Sequence, residues 1–534
     1  MTRRLSLNAP DPRLAVPRDP RLVSYNIEMA EVTGGTFWKP FTPAQIAGAD
    51  GFPAPEPPAD GSAPDLASLL SASSGLMAER PPIDLSNPKL RALARALGPS
   101  WVRVSGSWAT GAYFDFNDST GGVPPEGYRA VLTRAQWAGV LDFVRAVEGR
   151  LLISFAVVPG LGNAACRRLG GTGAWDPSQV RRLLNTAAHA GAPVGAVEFA
   201  NEPNISFLGT GYDLRAYLQD QDAFYRFMRI EFPRVLIAGP CGAMDPVDPD
   251  HPVTGPLAGA AGSIPTSREI AEGASEKPDV YSYHIYAGMS ERGAALGGHH
   301  WPAGEAASDE VLDVAEKARR HHEPIRDAWC PKAPLWVTES GDANCGGNTW
   351  GSTFLDVFRT ADELARFSTA ADGVIFHNTL ASSDYGLLDE DSFAPRPNWW
   401  FLWLWRSLAG DAAYPASSAT VEPLFPAGAH VYARTRADGR PGTVYLVVNN
   451  ALDDELEVAV HREVARFTLS APGAPGEGPV AADDLRTQAV ALNGAPLELT
   501  AAGLPPALGP LGVREPAGNL VLAPGTVTML LTQG

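Results

Sequence analysis

Cysteine is scarce in this chain of 534 residues, and its scarcity limits the kinds of site that the protein can contain. The four cysteines, Cys166, Cys241, Cys330 and Cys345, are widely separated and include no CxxC pair. Zinc sites of the usual ligand spacing are therefore not expected. Four scattered cysteines also do not make the disulfide framework of a small secreted domain, so we expect reduced, buried thiols.

The chain is also poor in basic residues and lacks long apolar runs. It has 42 Lys and Arg against 60 Asp and Glu, a formal net charge of −18. Proteins that coat polyanions need a basic surface, so we predict no nucleic-acid partner. No run of about 18 apolar residues occurs, which predicts no membrane span. The first residues, MTRRLSLNAPDPRL, lack the apolar stretch of a signal peptide, so we expect a cytoplasmic chain or one numbered after removal of a leader.

Short β-rich segments alternate with amphipathic helical segments through most of the chain. We predict eight parallel strands at 22–29, 100–106, 151–160, 195–204, 234–240, 279–287, 334–340 and 373–380. The segments between them, such as NPKLRALARALG, begin at residues that cap helices. Eight strand–helix units close naturally into a (β/α)8 TIM barrel. The sequence therefore predicts an α/β fold with a barrel over 22–408.

Two regions depart from this alternation. The stretch 34–82 is rich in Pro, Ala, Gly and Ser and forms a long loop after the first strand. Barrel active sites lie on that face, so the loop is either a lid or pocket wall, or a surface insertion. After residue 409, short alternating strands separated by turns predict an antiparallel β-sandwich over 409–534. The segment 1–21 is a candidate to add a strand to it.

Two glutamates stand at the carboxyl ends of predicted strands, where side chains of a barrel face the active site. Glu202 lies in NEPN at the end of the fourth strand, and Glu339 lies in WVTES at the end of the seventh. A single glutamate there is often only a helix cap or an ion-pair partner. A pair across the mouth, one protonated and one ionised and about 5–5.5 Å apart, suits retaining glycoside hydrolysis. We predict that Glu202 and Glu339 are catalytic and that no metal or organic cofactor is needed.

The motifs around these glutamates resemble those of glycoside hydrolase family 79, the heparanase-like β-glucuronidases of the barrel glycosidase clan A. The similarity extends from about residue 22 to 410. The resemblance implies that Glu202 is the general acid/base and Glu339 the nucleophile. The segments that carry it are ANEPN (200–204), TESGDANCGG (338–347), PKLRALARALGPSWVRVSG (88–106), GNAACRR (162–168) and DYGLLDEDSFAPRPNWWFLWLWRSLAG (384–410).

The resemblance also implies residues that bind the sugar. Asn201 would hydrogen-bond the sugar 2-OH, and His284 and Tyr286 would flank the nucleophile. Either Asn26 or Glu28 on the first strand, and Asn163 on the loop after the third strand, would contact the sugar.

A neutral clamp for a uronate carboxylate is implied as well. The backbone N–H groups of Gly346 and Gly347 and the hydroxyl of Tyr385 would donate to it. The stretch from Glu339 to the glycines is one residue longer than in the family, with Cys345 near an aromatic position. The register of this clamp is therefore left open.

We expect a retaining exo-β-glucuronidase that acts on a glucuronide or a glucuronic acid-containing glycan. The alternatives are an endo-β-glucuronidase of heparanase type and a barrel glycosidase for neutral sugars. A carbohydrate-binding scaffold with an inactive barrel would be expected to have lost one glutamate of the pair. The sequence does not fix the oligomeric state.

Overall fold

A computed structural model describes residues 3–52, 75–126, 128–156, 175–206, 212–254, 264–419, 426–473 and 478–533. The segment with Asn163, the end of the predicted third strand, and residues 53–74 of the long first loop lie outside these ranges. Among the described residues, no helix is both long enough and apolar enough to cross a membrane.

The described strands are numbered along the chain. They are β1 (Arg3–Ser6), β2 (Val16–Pro17), β3 (Val23–Glu28), β4 (Gly35–Trp38), β5 (Met77–Arg80), β6 (Trp101–Ser105), β7 (Ala112–Asp115), β8 (Ala130–Thr133), β9 (Arg150–Ser154), β10 (Ala196–Glu198), β11 (Leu236–Gly242), β12 (Val280–Met289), β13 (Leu335–Asn344), β14 (Ile375–His377), β15 (Ala409–Ala413), β16 (Ala429–Arg436), β17 (Val444–Asn449), β18 (Leu456–Val460), β19 (Val464–Ser470), β20 (Ala491–Leu492), β21 (Ala495–Pro496), β22 (Val513–Glu515), β23 (Gly518–Leu522) and β24 (Thr526–Thr532).

The described α-helices are numbered in the same way. They are α1 (Met29–Thr33), α2 (Pro43–Ile46), α3 (Pro88–Leu97), α4 (Arg134–Ala146), α5 (Ser178–His189), α6 (Pro203–Ser206), α7 (Leu214–Glu231), α8 (Ser267–Gly273), α9 (Asp309–Trp329), α10 (Leu355–Ala370), α11 (Pro397–Leu408) and α12 (Ala416–Ala419).

Eight parallel strands close into a barrel, which confirms the predicted fold class. Their order around the barrel is β10, β11, β12, β13, β14, β3, β6 and β9. Apolar side chains from these strands fill the interior, and Trp101 of β6 contacts Trp336 of β13 with ring centroids 4.9 Å apart. The interior is thus a packed core, and side chains beyond the strand ends are left to form a site.

Three of the barrel strands run further than the sequence predicts, and β11 ends at Gly242 instead of 240. β12 reaches Met289 and β13 reaches Asn344, past the predicted ends at 287 and 340. Their outer halves pair with each other, with Gly288 opposite Ala343 and Met289 opposite Asn344. This ladder satisfies the backbone of the polar stretch after Glu339, which a pattern of apolar residues does not indicate.

The C-terminal part forms two facing sheets, as the sandwich prediction requires. One has the order β1, β18, β23, and the other has the order β2, β15, β16, β17, β24, β19, β20, β21, with β22 also on β19. All the pairs are antiparallel except β1 with β18, which is parallel. Buried side chains such as Val431, Val447 and Val458 form the core of this part.

Candidate active site

The two glutamates predicted to be catalytic lie together at the barrel mouth. Glu202 follows β10 in a turn with a left-handed φ of 43°, just before α6. Glu339 lies in β13, at the position paired with His284 of β12. One carboxylate oxygen of Glu202, one of Glu339 and a ring nitrogen of His284 all lie within 4.8 Å of one another. The fourth and seventh barrel strands thus bring two carboxyl groups to one point.

Glu339 is buried and accepts a hydrogen bond at each oxygen. Arg103 donates from Nη1 to Oε1 at 2.8 Å, and the Tyr286 hydroxyl donates to Oε2 at 2.6 Å. Burial would raise the pKa of Glu339, but His284, Arg103 and the Tyr286 hydroxyl together outweigh burial and lower it. Glu339 is therefore held in its ionised form.

His284 lies between the two glutamates. Its Nε2 is 3.3 Å from Nη2 of Arg103, and its Nδ1 is 3.1 Å from Oε1 of Glu202 and 3.5 Å from Oε2 of Glu339. The ionised Glu339 can only accept, so Nδ1 of His284 carries a hydrogen and donates towards the glutamates. This arrangement fixes the ring and links the two carboxyl groups.

Arg103 organises the base of the site, although the sequence analysis did not select it. It is fully buried, pairs with Glu198 at 2.9 Å and donates from Nη2 to Oδ1 of Asn201 at 2.7 Å. The signal was present in SWVRVSG, where one arginine interrupts an apolar strand. A buried arginine needs carboxylate partners, and Glu339 is one of them.

The two candidates on the first strand occupy different positions. Glu28 lines the cavity of the site, whereas the side-chain amide of Asn26 donates to the carbonyl of Thr338 and to Oδ1 of Asn378. Burial, followed by the charges of Glu339 and Glu31, raises the pKa of Glu28 well above its usual value. Its surroundings thus favour the protonated form of Glu28, whose Oε2 has no hydrogen-bond partner among the described residues.

The predicted carboxylate clamp lies beside the cavity. Cys345, Gly346 and Gly347 all have left-handed φ angles of 57°, 87° and 85°. A side chain at Gly346 would collide with Trp38, and one at Gly347 would crowd the backbone nitrogen of Tyr385. Cys345 and Tyr385 line the cavity, whereas Gly346 and Gly347 are not among its lining residues.

The protonation states of two residues in this region follow from burial. Burial raises the pKa of the Cys345 thiol to about 12, so it is not a thiolate at neutral pH. Burial, then the charges of Glu28 and Glu339, also raises the pKa of Tyr385, which leaves its hydroxyl able to donate.

A cavity of about 250 Å³ opens between these groups. No Lys or Arg is among its lining residues in the described part of the chain, whereas four acidic side chains are. Phe37, Trp38 and Trp108 form an aromatic wall, the first two from the long loop after β3. The described part of that loop therefore forms a wall of the site. The lining is Glu28, Phe37, Trp38, Gly106, Ser107, Trp108, Asn201, Glu202, Ile205, Ala243, Met244, Asp245, Val247, His284, Ile285, Tyr286, Met289, Leu296, His322, Glu339, Asn344, Cys345, Asn378 and Tyr385.

Several lining residues were not predicted from the sequence. Asn378 donates to the Tyr286 hydroxyl at 2.8 Å, so it supports the contact with Glu339. It falls in HNTL at the end of the eighth strand, a position that could have identified it. The apolar wall residues Met244 and Leu296 follow β11 and β12, and Met289 ends β12, in parts of the chain whose course no local pattern indicates.

The same cluster also offers ligands for a cation. Glu202, His284 and Glu339 could each give one atom to a metal ion. This is the one group of three or more such side chains found among the described residues.

Curated proteins with similar sequences are heparanase-like proteins and glucuronidases. The chain is 24% identical over 344 residues to heparanase-like protein 1 of Arabidopsis thaliana, covering 62% of this chain and 56% of that protein. It is 22% identical over 478 residues to the hyaluronoglucuronidase of Hirudo nipponia, covering 81% and 87%. It is 29% identical over 242 residues to the baicalin-β-D-glucuronidase of Scutellaria baicalensis, covering 42% and 43%. The chain thus spans little more than half the length of the first of these.

No family model matches the chain, but solved structures share its fold. One is a 4-O-α-L-rhamnosyl-β-D-glucuronidase from Fusarium oxysporum, with a TM-score of 0.61 and 11% identity over 99% of this chain and 100% of that chain. Another is a GH51 arabinofuranosidase from Xanthomonas axonopodis pv. citri, with a TM-score of 0.57 and 15% identity over the same shares. At these identities the likeness is one of fold. The sequence similarity and the barrel together confirm the resemblance to the heparanase-like glycoside hydrolase family 79.

Proposed function

We propose that the protein is a retaining glycoside hydrolase that releases terminal glucuronic acid. The observation that carries this proposal is the approach of Glu202 and Glu339 to within 4.8 Å across the barrel mouth. Retaining enzymes keep their carboxyl groups about 5–5.5 Å apart because no water has to fit between the nucleophile and the sugar. Inverting enzymes need about 6.5–9.5 Å. The spacing supports double displacement.

The two carboxyl groups take different roles. The ionised Glu339 attacks the anomeric carbon while Glu202 gives its proton to the leaving oxygen, and the aglycone departs. Glu202 then takes a proton from water, whose oxygen attacks the anomeric carbon and frees Glu339. The lowered pKa of Glu339 favours this assignment over the reverse.

Acid–base chemistry suits this cluster better than metal binding. Arg103 and Tyr286 already donate to the two oxygens of Glu339. A cation there would lie close to the guanidinium of Arg103, whose Nη1 is 2.8 Å from Oε1 of Glu339. Repulsion between the two positive charges disfavours a bound cation.

The cavity favours exo action on a glucuronide with an apolar aglycone. Its volume of about 250 Å³ is just below the usual range for ligand sites, and its described lining has carboxylates but no Lys or Arg. A sulfated chain in the cavity would lie against four acidic side chains, with no Lys or Arg in the described lining to neutralise its sulfates. An apolar aglycone could instead pack on the flat faces of Trp38 and Trp108. One relative is named a baicalin-β-D-glucuronidase, which is consistent with this class of substrate.

Two alternatives have observations of their own. The similarity to heparanase-like protein 1 favours endo cleavage of an acidic glycan. The shared fold with an arabinofuranosidase favours a neutral pentoside. Nitrophenyl glucuronide, glucoside, xyloside and arabinofuranoside, together with intact heparan sulfate, separate the three. We expect the glucuronide to be turned over much faster than the other nitrophenyl glycosides, with the β-anomer of glucuronic acid released first in ¹H NMR. Internal cutting of heparan sulfate without glucuronide turnover would favour the endo enzyme.

Variants of the two glutamates test their roles. We expect Glu339→Ala to abolish turnover of every substrate. Glu202→Ala should lose far less with a nitrophenyl leaving group, which needs no proton, than with an alkyl glucuronide. Asp118→Ala, at an exposed loop position, is the control for a carboxylate outside the site. Full activity in both glutamate variants would contradict the assignment.

A further inference from the structure

Arg292 is a buried arginine that the mechanism above does not use. It follows β12, is 1% exposed and donates from Nη2 to Oδ2 of Asp384 at 2.5 Å and to the carbonyl of Lys39 at 2.6 Å. Its guanidinium carbon also lies 3.6 Å from the centre of the Phe41 ring. Asp384 balances its charge, so the pair is neutral overall.

The other terminal nitrogen of Arg292 binds three successive carbonyl groups of the predicted clamp. Nη1 lies 3.5 Å from the oxygen of Cys345, 3.1 Å from that of Gly346 and 3.0 Å from that of Gly347. Two serine hydroxyls assist. Ser290 donates to the Cys345 oxygen at 3.0 Å, and Ser383 donates to the Gly346 oxygen at 2.8 Å.

This arrangement fixes the direction of the N–H groups. In a trans peptide the carbonyl and the N–H point to opposite sides. When the oxygens of Cys345 and Gly346 face Arg292, the N–H groups of Gly346 and Gly347 point away from it. These two N–H groups donate to no acceptor in the described part of the chain. The N–H of the next peptide, that of Asn348, donates to a carboxyl oxygen of Asp342 at 2.7 Å.

We propose that Arg292 is a positioning residue that determines specificity, because it presents the N–H groups of Gly346 and Gly347 to the substrate carboxylate. This inference rests on the proposed glucuronidase activity. Successive backbone N–H groups form concave anion sites, and bonds from N–H to a carboxylate are charge-assisted. An arginine is required because its planar guanidinium has several N–H donors and can bind the three carbonyls and Asp384 at once. The compact ammonium group of a lysine cannot reach all of them.

Arg292→Lys tests the proposal with the buried charge retained. We expect kcat/KM for nitrophenyl glucuronide to fall by about tenfold or more, mainly through KM, because binding of the carboxylate is weakened in the ground state as well as the transition state. Turnover of nitrophenyl glucoside, which lacks the carboxylate, should stay within about threefold of wild type. The ratio of the two rates is the readout, because general damage would lower both.

Milder variants keep the test valid if the lysine variant does not fold. Ser290→Ala and Ser383→Ala each remove one donor to the clamp carbonyls and leave the pair of Arg292 and Asp384 intact. We expect each to lower the glucuronide-to-glucoside ratio in the same direction and by less. Arg366→Lys, in an ion-pair cluster with Asp362 at the sandwich, is the matched control and should leave the ratio unchanged.

The outcomes separate this inference from the proposed function. If the wild type does not prefer glucuronide to glucoside, the proposed function is wrong and this inference falls with it. If the wild type prefers glucuronide and the folded Arg292 and serine variants keep that preference within about twofold, only the role proposed for Arg292 is wrong and the proposed function stands.

Discussion

Single side chains set the charge state of Glu339, and Tyr286 is the most direct example. Its hydroxyl donates to Oε2 at 2.6 Å and thereby favours the carboxylate. In Tyr286→Phe that bond is lost, so the pKa of Glu339 should rise. We expect the acid limb of the pH profile of kcat/KM to move up by about one pH unit.

Tyr225→Phe is the matched control for this profile. Tyr225 is also buried, and its hydroxyl has no partner among the described residues. Its removal should leave the acid limb in place. An unchanged limb in Tyr286→Phe would mean that the hydroxyl does not tune Glu339.

Gly106 decides whether Glu28 can occupy the cavity wall. Its φ is 88°, and a Cβ at this position would overlap the Glu28 carboxyl group. We expect Gly106→Ala to displace Glu28 and to lower kcat/KM by about tenfold or more, the cost of losing one good hydrogen bond to the sugar. Wild-type kinetics in the folded variant would show that Glu28 does not contact the substrate.

Among secondary-structure elements, α10 supports β13 through buried charges. Arg359 binds Asp356 at 2.6 Å and Glu363 at 2.7 Å, and Glu363 accepts from the Ser340 hydroxyl next to Glu339. Arg359→Met would leave two buried carboxylates unpaired. We expect the free energy of unfolding in urea to fall by about 3–5 kcal/mol.

The exposed pair of Arg181 and Glu231 provides the comparison for this measurement. Arg181→Met should lower the free energy of unfolding by about 1 kcal/mol or less, because solvent screens the pair. An equal loss of unfolding free energy in Arg359→Met and Arg181→Met would contradict the role given to the buried charges.

The barrel could be predicted from the sequence because its strands are apolar and bounded by polar turns. The two glutamates were predictable because each interrupts such a strand at the carboxyl end. The family resemblance also indicated Tyr286 beside the nucleophile, but it did not indicate Arg103, which donates to Glu339, or Asn378, which donates to Tyr286, because their positions depend on how the barrel closes. The proposed function of Arg292 depends on the directions of the three backbone carbonyl groups that it binds. Those directions cannot be predicted from the types of residue in the sequence.

Between the two parts of the molecule, charged residues also join the barrel to the sandwich. Asp309, at the start of α9, accepts from His430 at 3.0 Å, from Asn450 at 2.8 Å and from the N–H of Gly428 at 2.9 Å. The bond from His430, which is the largest effect, and the other two bonds lower the pKa of Asp309 despite partial burial.

This lowered pKa predicts how the stability of the molecule depends on pH. A carboxyl group with a depressed folded pKa stabilises the fold above its unfolded pKa of about 3.9, and that stability is lost as the pH falls through the folded value. Wild type should therefore exceed Asp309→Asn in melting temperature at pH 7, and the gap should narrow below about pH 4. A gap that is constant with pH would contradict the ionic contribution.

The pairing of Glu202 with Glu339 across one sugar ring is tested most directly by trapping the covalent intermediate. The protein is treated with a 2-deoxy-2-fluoro-glucuronyl fluoride, and its peptides are analysed by mass spectrometry. We predict one added fluoroglucuronyl group per chain, attached to Glu339, and no adduct in Glu339→Ala. An adduct on another residue, or turnover of the reagent without any adduct, would contradict the proposed mechanism.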